Sequence, residues 1–295
     1  MPTIGLIGLG NMGRGIGKNI LEAGMPLSVM DTSQETVAQL RDLGAREATS
    51  MSDMVAESEV ILTCLPSLAS VRQIYLGEGG IVDYAGVGKT AVDCSTATPV
   101  LAQEIGAALG ARQMSFLDAP MLKTPQAAWD GTLHLVVGGD GDTLERVRPV
   151  LETISEKIVP AGALGNGQAM KLINNAMTLG THVVVCEALT LARKLDVDLS
   201  AMLAVGDASM ASSNKLRELA PRLIADDHSL SFATDVALKD LTAFSEMAQA
   251  AGAMIPACDA ARDLMRLTSG AGYGAANVSR VATILADAAD TKFGD

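Results

Sequence analysis

Nothing in this chain pairs its cysteines. The four that occur, Cys64, Cys94, Cys186 and Cys258, are widely scattered, with no CxxC spacing and no metal-like grouping with the three histidines. They read as small apolar side chains in a reducing compartment, and no metal site is expected. Positive charge is scarce too: 22 Lys and Arg against 34 Asp and Glu leave a net charge of −12, and no basic cluster interrupts the excess. A phosphate backbone would be repelled, which excludes nucleic acid as a partner. No leader is expected either. The chain enters a strand pattern and a glycine turn within eight residues, so there is no room for a charged n-region, an apolar h-region and a cleavage site, and a cytoplasmic location is expected. The most apolar long segment, 176–192, is interrupted by Thr178, Thr181, His182, Glu187 and Thr190. A bilayer centre penalises those residues, so a buried helix is expected there and no membrane association. No internal repeat or low-complexity linker divides the sequence.

What is present is an alternation. Over residues 3–160 the runs TIGLIGL, LSVMD, EVILTCLP, TAVDCST, MSFLDAP, TLHLVVGG and KIVPAG are strand candidates separated by helical patterns. That arrangement predicts an α/β fold with a mostly parallel, doubly wound sheet. Ser33 and Gly44 bracket one helix, and Thr98 and Gly110 another, as N-terminal cap and C-terminal glycine. After Gly162 the strand signals stop. Long Ala-, Leu- and Met-rich patterns predict an all-helical second domain, led by a helix of about 28 residues, roughly 42 Å long at 1.5 Å per residue. A helix of that length and apolarity is expected to form a spine between domains and part of a subunit interface. The expected domains are 1–162, dinucleotide-binding, and 163–295, helical and concerned with substrate and assembly, with the boundary in the AGALGNG turn.

The sharpest local signal is GLGNMG, Gly8-Leu9-Gly10-Asn11-Met12-Gly13, behind an apolar strand and ahead of a helix. Gly8 permits the tight turn, Gly10 lets the backbone approach a phosphate, and Gly13 lets the helix pack on the strand, while N–H groups at the helix start hold the anion. Asp31 ends the second strand pattern 18 residues after Gly13, near the spacing at which an acid meets the adenosine ribose. It would repel a 2'-phosphate, and Thr32, Ser33 and Gln34 supply no cation, so NAD is expected over NADP. Arg41 is too far along to change this.

Lys171 and Asn175 stand four apart at the start of the long helix and share a face. Apolar neighbours Ala169, Met170, Leu172 and Ile173 could lower the lysine pKa toward neutrality and make it a proton carrier beside an amide aligner. A solvated lysine next to a buried asparagine fits the same spacing.

GLGNMG, Leu65-Pro66, DCST at 93–96, DAP at 118–120, GTL with VGG, KLINN and Lys239-Asp240 occur in the order and spacing of the β-hydroxyacid dehydrogenases, the family that includes 3-hydroxyisobutyrate dehydrogenase and tartronate semialdehyde reductase. The resemblance covers essentially the whole chain. It implies a dehydrogenase acting on a CH–OH group, with Lys171 as catalytic acid/base and Asn175 orienting the substrate. It also implies that Ser95 and Thr96 lie near nicotinamide and its ribose, Ser95 contacts substrate as well, Leu65 and Pro66 pack on the cofactor, and Lys239 reaches the cofactor or substrate. The expected partner is a small anionic substrate, and a homodimer or homotetramer is expected.

One match fails. The family pattern DAPVSGG reads DAPMLKT here, with Met121, Leu122, Lys123 and Thr124. Loss of both glycines is expected to remove the freedom for positive φ, while Lys123 and Thr124 bring a cation and a hydroxyl. The segment is similar to the sulfolactaldehyde reductase branch, where an Arg-Thr pair stands at these positions. Lysine is a point charge and does not favour sulfonate over carboxylate by geometry. Leu122, Lys123 and Thr124 are therefore candidate substrate residues, and Trp129 is expected to pack in a short helix. Two other readings remain: an imine reductase of the same superfamily, in which aspartate or tyrosine stands at the lysine position, and a dinucleotide-sensing module without turnover.

Overall fold

The central apolar runs of the first half, IGLI, VILT and TAVD, become strands buried on both faces, the condition for a parallel sheet, while the last, at 157–162, stays largely exposed. The computed structural model describes residues 1–294. In it β1 (Ile4–Ile7), β2 (Leu27–Met30), β3 (Arg46–Glu47), β4 (Val60–Thr63), β5 (Thr90–Asp93) and β6 (Ser115–Asp118) run parallel in the order β3-β2-β1-β4-β5-β6. The order reverses between β1 and β4, so the loops following those strands open a crevice at their carboxyl ends. β7 (Met121–Leu122) continues β6 past Ala119-Pro120, and both lie antiparallel to β8 (Leu133–Gly138), with Asp118 opposite Gly138 and Leu122 opposite His134. β9 (Ser155–Gly162) pairs parallel with β8 through a register shift between Leu133 and His134, where Glu156 is the extra residue of a bulge. The seven expected strands are present; β3 and β7, two residues each, are additions.

Helices cover both faces. They are α1 (Asn11–Glu22), α2 (Gln34–Asp42), α3 (Met51–Glu57), α4 (Leu68–Leu76), α5 (Ile81–Tyr84), α6 (Pro99–Gly110), α7 (Pro125–Trp129) and α8 (Gly141–Leu151). Leu6, Val29, Leu62 and Val92 belong to one apolar cluster with α1, α2 and α8. Ile7, Ile61, Ala91 and Phe116 belong to another with α4 and α6. Ser33 accepts from Thr36 N and Thr98 from Leu101 N, as their cap positions predict. Gly44 has φ +107°, but Gly110 stays inside α6, and the left-handed turn after it falls to Gln113 at φ +59°. Helix α7 is welded to α1. A Cβ on Gly15 would lie 2.7 Å from the Trp129 nitrogen, and Asn19 Nδ2 donates to Gly15 O at 2.8 Å and Ala128 O at 2.7 Å. The Trp129 indole donates to Asn11 Oδ1 at 3.2 Å, and the Arg14 guanidinium lies over its ring at 5.8 Å, so this side chain packs as expected.

The 29-residue α9 (Asn166–Lys194) opens the helical half and is followed by α10 (Leu199–Asp207), α11 (Asn214–Ile224), α12 (Thr234–Ala250), α13 (Pro256–Thr268) and α14 (Arg280–Ala288). Leu179, Cys186, Leu219, Leu241, Met265 and Val281 form its own core. None of the helices among the described residues is long and apolar enough to cross a membrane. The chain divides into two compact units, one ending at Lys171 and one beginning at Leu172. The first turn of α9 falls in the first unit because it hydrogen-bonds back to the sheet, Gln168 N donating to Asp118.

Candidate cofactor and active site

Two of the three loop glycines are demanded by the protein itself. Gly8 sits at φ +95° with its missing Cβ 2.3 Å from Cys64 O, and a Cβ on Gly13 would lie 2.0 Å from Gly8 O. Gly10 is different: no protein atom lies within 4 Å of where its Cβ would be. Gly10 is also the N-cap of α1, which has no side-chain cap and no acid in its first turn. The helix start therefore faces outward, with room and N–H groups suited to an external anion. Asn11 is exposed beside it and Met12 tucks against the core. At the rim, Asp31 Oδ2 accepts from Leu9 N at 2.5 Å and Oδ1 from Ser33 N at 2.8 Å, so the carboxylate is oriented before any ligand arrives. An open glycine cradle with an adjacent fixed acid fits a dinucleotide.

The neighbouring strand ends are tied together. Buried Asp93 accepts from Thr63 Oγ1 at 2.8 Å and from Ser95 N at 3.0 Å, which shapes the turn after β5. Burial raises its pKa, against the hydrogen bonds from Ser95 and Thr63. Ser95 Oγ accepts from Leu65 N at 2.8 Å, joining that turn to the Leu65-Pro66 loop. Leu65 and Thr96 are half-buried and Pro66 is exposed.

The start of α9 closes the group. Asp118, wholly buried, accepts from Gly165 N at 2.8 Å and Gln168 N at 2.7 Å, acting as a cap supplied from β6. Burial pushes its carboxyl up to about 6, the two backbone donors restraining the shift. Gln168, also wholly buried, accepts from Ala97 N at 2.8 Å and donates to Ser95 O at 2.9 Å. Lys171, half-buried, follows one turn later.

The departing segment behaves otherwise than expected. Lys123 keeps a left-handed backbone, φ +79°, where the family pattern has glycine, so positive φ was not lost with the glycine. The turn is imposed by its two ends, the β7–β8 ladder and α7. Its ammonium lies 2.5 Å from Glu156 Oε1, which also meets His134 Nε2 at 2.8 Å. These two contacts, Lys123 first, hold Glu156 below its ordinary pKa. Leu122 is half-buried, and Thr124 is exposed at the N-cap of α7, where its hydroxyl makes no cap bond.

In the second unit Asn175 Nδ2 donates to Asp240 Oδ2 at 2.7 Å. Asp240 is 3% exposed, and its other oxygen has no hydrogen bond but lies 3.3 Å from Lys239 Nζ. Asp240 thus holds both Asn175 and Lys239. The sequence reading missed Gln168, Asp118 as a cap, Asp240 as a holder and Glu156. Only Gln168 carried a usable signal, its place one turn before Lys171.

Residues 3–162 match the family model described as the NAD binding domain of 6-phosphogluconate dehydrogenase, and residues 165–285 the one described as NAD-binding of NADP-dependent 3-hydroxyisobutyrate dehydrogenase. The chain belongs to the β-hydroxyacid dehydrogenase family. The 3-sulfolactaldehyde reductase of Escherichia coli is 30% identical over 93% of this chain and 92% of its own length. The NAD-dependent L-serine dehydrogenase of Pseudomonas aeruginosa is 32% identical over 95% and 97%. A solved structure of Mycobacterium tuberculosis 3-hydroxyisobutyrate dehydrogenase with L-serine is 30% identical, with a TM-score of 0.90 and coverage of 97% and 99%. This β-hydroxyacid dehydrogenase is an oxidoreductase acting on a hydroxyl group, and it binds a nicotinamide dinucleotide.

Proposed function

We propose that this β-hydroxyacid dehydrogenase interconverts a short β-hydroxy acid, carrying a carboxylate or a sulfonate, with its semialdehyde or keto form, and prefers NAD to NADP. The dinucleotide, when bound, accepts or supplies the hydride. Gly8 to Gly13 hold its pyrophosphate, Asp31 its ribose hydroxyls, and Leu65, Pro66, Ser95 and Thr96 border its nicotinamide end, with Lys239 a further contact. Lys171 Nζ takes the hydroxyl proton during oxidation and returns it during reduction. Asn175 orients the hydroxyl, its amide set by Asp240. Leu122, Lys123, Thr124 and Ser95 hold the acid end, an incoming anion competing with Glu156 for the Lys123 ammonium. Residues 1–162 serve as the dinucleotide domain and 163–295 as the substrate and assembly domain.

One observation carries the reading: Lys171 lies one turn beyond Gln168, which is bonded to the Ser95 turn. NAD preference is supported by Asp31, followed by Thr32, Ser33 and Gln34 with no cation among them, and by Arg41 being paired with Glu47 at 3.1 Å. Lysine at 171 favours hydroxyl over imine chemistry. Met177, Val184 and Leu191, each about 60% exposed and spaced by seven on α9, support packing of a second copy, which the mass in solution tests.

The test is a panel of 3-hydroxyisobutyrate, L-serine and 2,3-dihydroxypropanesulfonate, each with NAD and NADP, followed by the appearance of reduced cofactor. Lys171→Ala should lower turnover by about 10²–10⁴-fold, with NADH binding intact by fluorescence titration. Undiminished turnover in K171A would overturn the mechanism. Silence of the wild type across the panel with tight NADH binding would favour the sensing module.

A further inference from the structure

The two hydrogen bonds of the Gln168 side chain serve one task. Its carbonyl accepts from Ala97 N and its amide nitrogen donates to Ser95 O, two atoms that bracket Thr96. An apolar side chain would fill the same buried space without needing partners, so packing alone does not explain an amide here. Its backbone N–H, with that of Gly165, is held by the Asp118 carboxylate. There is no slack around this turn. A Cβ on Gly167 would lie 2.6 Å from Val136 O and 2.7 Å from Asp118 O, and one on Gly138 would lie 2.9 Å from Gly167 N. The backbone of α9 rests directly on the sheet, and Gln168 registers it against the turn after β5.

We propose that Gln168 is a positioning residue: by bracketing Thr96 it sets the rotation and height of α9, and hence where Lys171 stands relative to the nicotinamide-bearing end of β5. The proposal rests on Lys171 being the acid/base. It assigns Gln168 no contact with substrate and no proton to move. A displacement of about 1 Å in a reacting group costs up to about a hundredfold in rate, which sets the scale of the effect.

The test is a double-mutant cycle in the full-length enzyme with Q168M, K171A and the pair. It uses the fastest substrate of 3-hydroxyisobutyrate, L-serine and 2,3-dihydroxypropanesulfonate. Q168M removes both side-chain hydrogen bonds at similar volume. Its kcat should fall about 10- to 100-fold and NADH affinity by much less, since Q168M loosens the turn at the nicotinamide end but leaves the glycine loop and Asp31 untouched. In the K171A background the same change should cost less than about twofold, because a residue acting through Lys171 has nothing left to act through. Hydrogen–deuterium exchange of peptides covering 166–172 should quicken in Q168M, a readout that needs no substrate. Should Q168M not fold, Q168E, which keeps only the acceptor for Ala97 N, carries the same cycle. Full additivity with K171A, an unchanged kcat in folded Q168M, or unchanged exchange over 166–172 would each overturn the proposal. Retained turnover in K171A alone would overturn the acid/base reading instead, so the two failures are told apart.

Discussion

Replacing Lys123 with glycine and, separately, with alanine distinguishes what its backbone does from what its charge does. At φ +79° any side chain with a Cβ is strained, by about 1–2 kcal/mol. The ion pair with Glu156 joins side chains 33% and 49% exposed, where solvent screens it, so it adds little to stability. Lys123→Ala loses this weak pair and keeps the strain, so it should be slightly less stable than the wild type. Lys123→Gly loses the pair and the strain but adds about 0.5–1 kcal/mol of unfolded-chain entropy, leaving it near neutral. The glycine variant should therefore be the more stable by about 0.5–1 kcal/mol, the reverse of the usual order, measured as a higher urea midpoint at equal slope. For the substrate the two variants should behave alike. Each lacks the cation, and loss of one charge-assisted contact of about 1.5–3 kcal/mol raises KM about 10- to 150-fold. Alanine at least as stable as glycine would refute the strain argument. A KM within twofold of wild type in both would refute the anion grip.

Two further outcomes follow from the geometry. Gly10→Ala should leave the denaturation midpoint unchanged, because nothing lies within 4 Å of the new methyl, yet weaken NADH binding at least about tenfold by occupying phosphate space, whereas Gly13→Ala, aimed at Gly8 O at 2.0 Å, should destabilise the fold as well; equal effects on both properties would refute the division of labour. His182, 1% exposed, has its pKa lowered to about 4, first by burial and then by Lys215, with Val278 O acting against them. The unfolded chain takes up that proton near pH 6.5 and the folded chain only near 4. Stability from this site is thus present above about 6.5 and is withdrawn as pH falls to 4, by at most about 3 kcal/mol. From pH 6.5 down to 4, denaturation midpoints of the wild type should fall more steeply than those of His182→Gln, which has no group titrating at that position; parallel falls would refute it.

What the sequence disclosed was what is decided locally. The glycine loop, the Ser33 and Thr98 caps and the alternation of strands and helices each need only a few adjacent residues, and all are present. Strands β3 and β7 escaped because two residues carry no periodicity, and their pairing is set by β2 and β8. Gly110 misled because the turn after α6 used Gln113 as its left-handed residue. The clamp on α9 was illegible for another reason. Asp118 meets Gln168 across 50 residues and Gln168 meets Ser95 across 73, and no spacing rule links such partners. Lys123 was picked out by its departure from a pattern, but its pairing with Glu156 depends on the bulge in β9.

The attachment of α7 to α1 bears on how such a pocket can be altered. On one side Leu122 is held in register opposite His134; on the other, Asn19 grips the backbone of Ala128 beside the Gly15 contact. Only Lys123 and Thr124 lie between the ladder and the first residue of the welded helix. They form a two-residue cassette with both ends clamped by backbone contacts that do not depend on which side chains it carries. Exchanging it for the glycine pair of the common pattern, or for Arg-Thr, should transplant one family member's anion preference into another without disturbing the dinucleotide cradle next door.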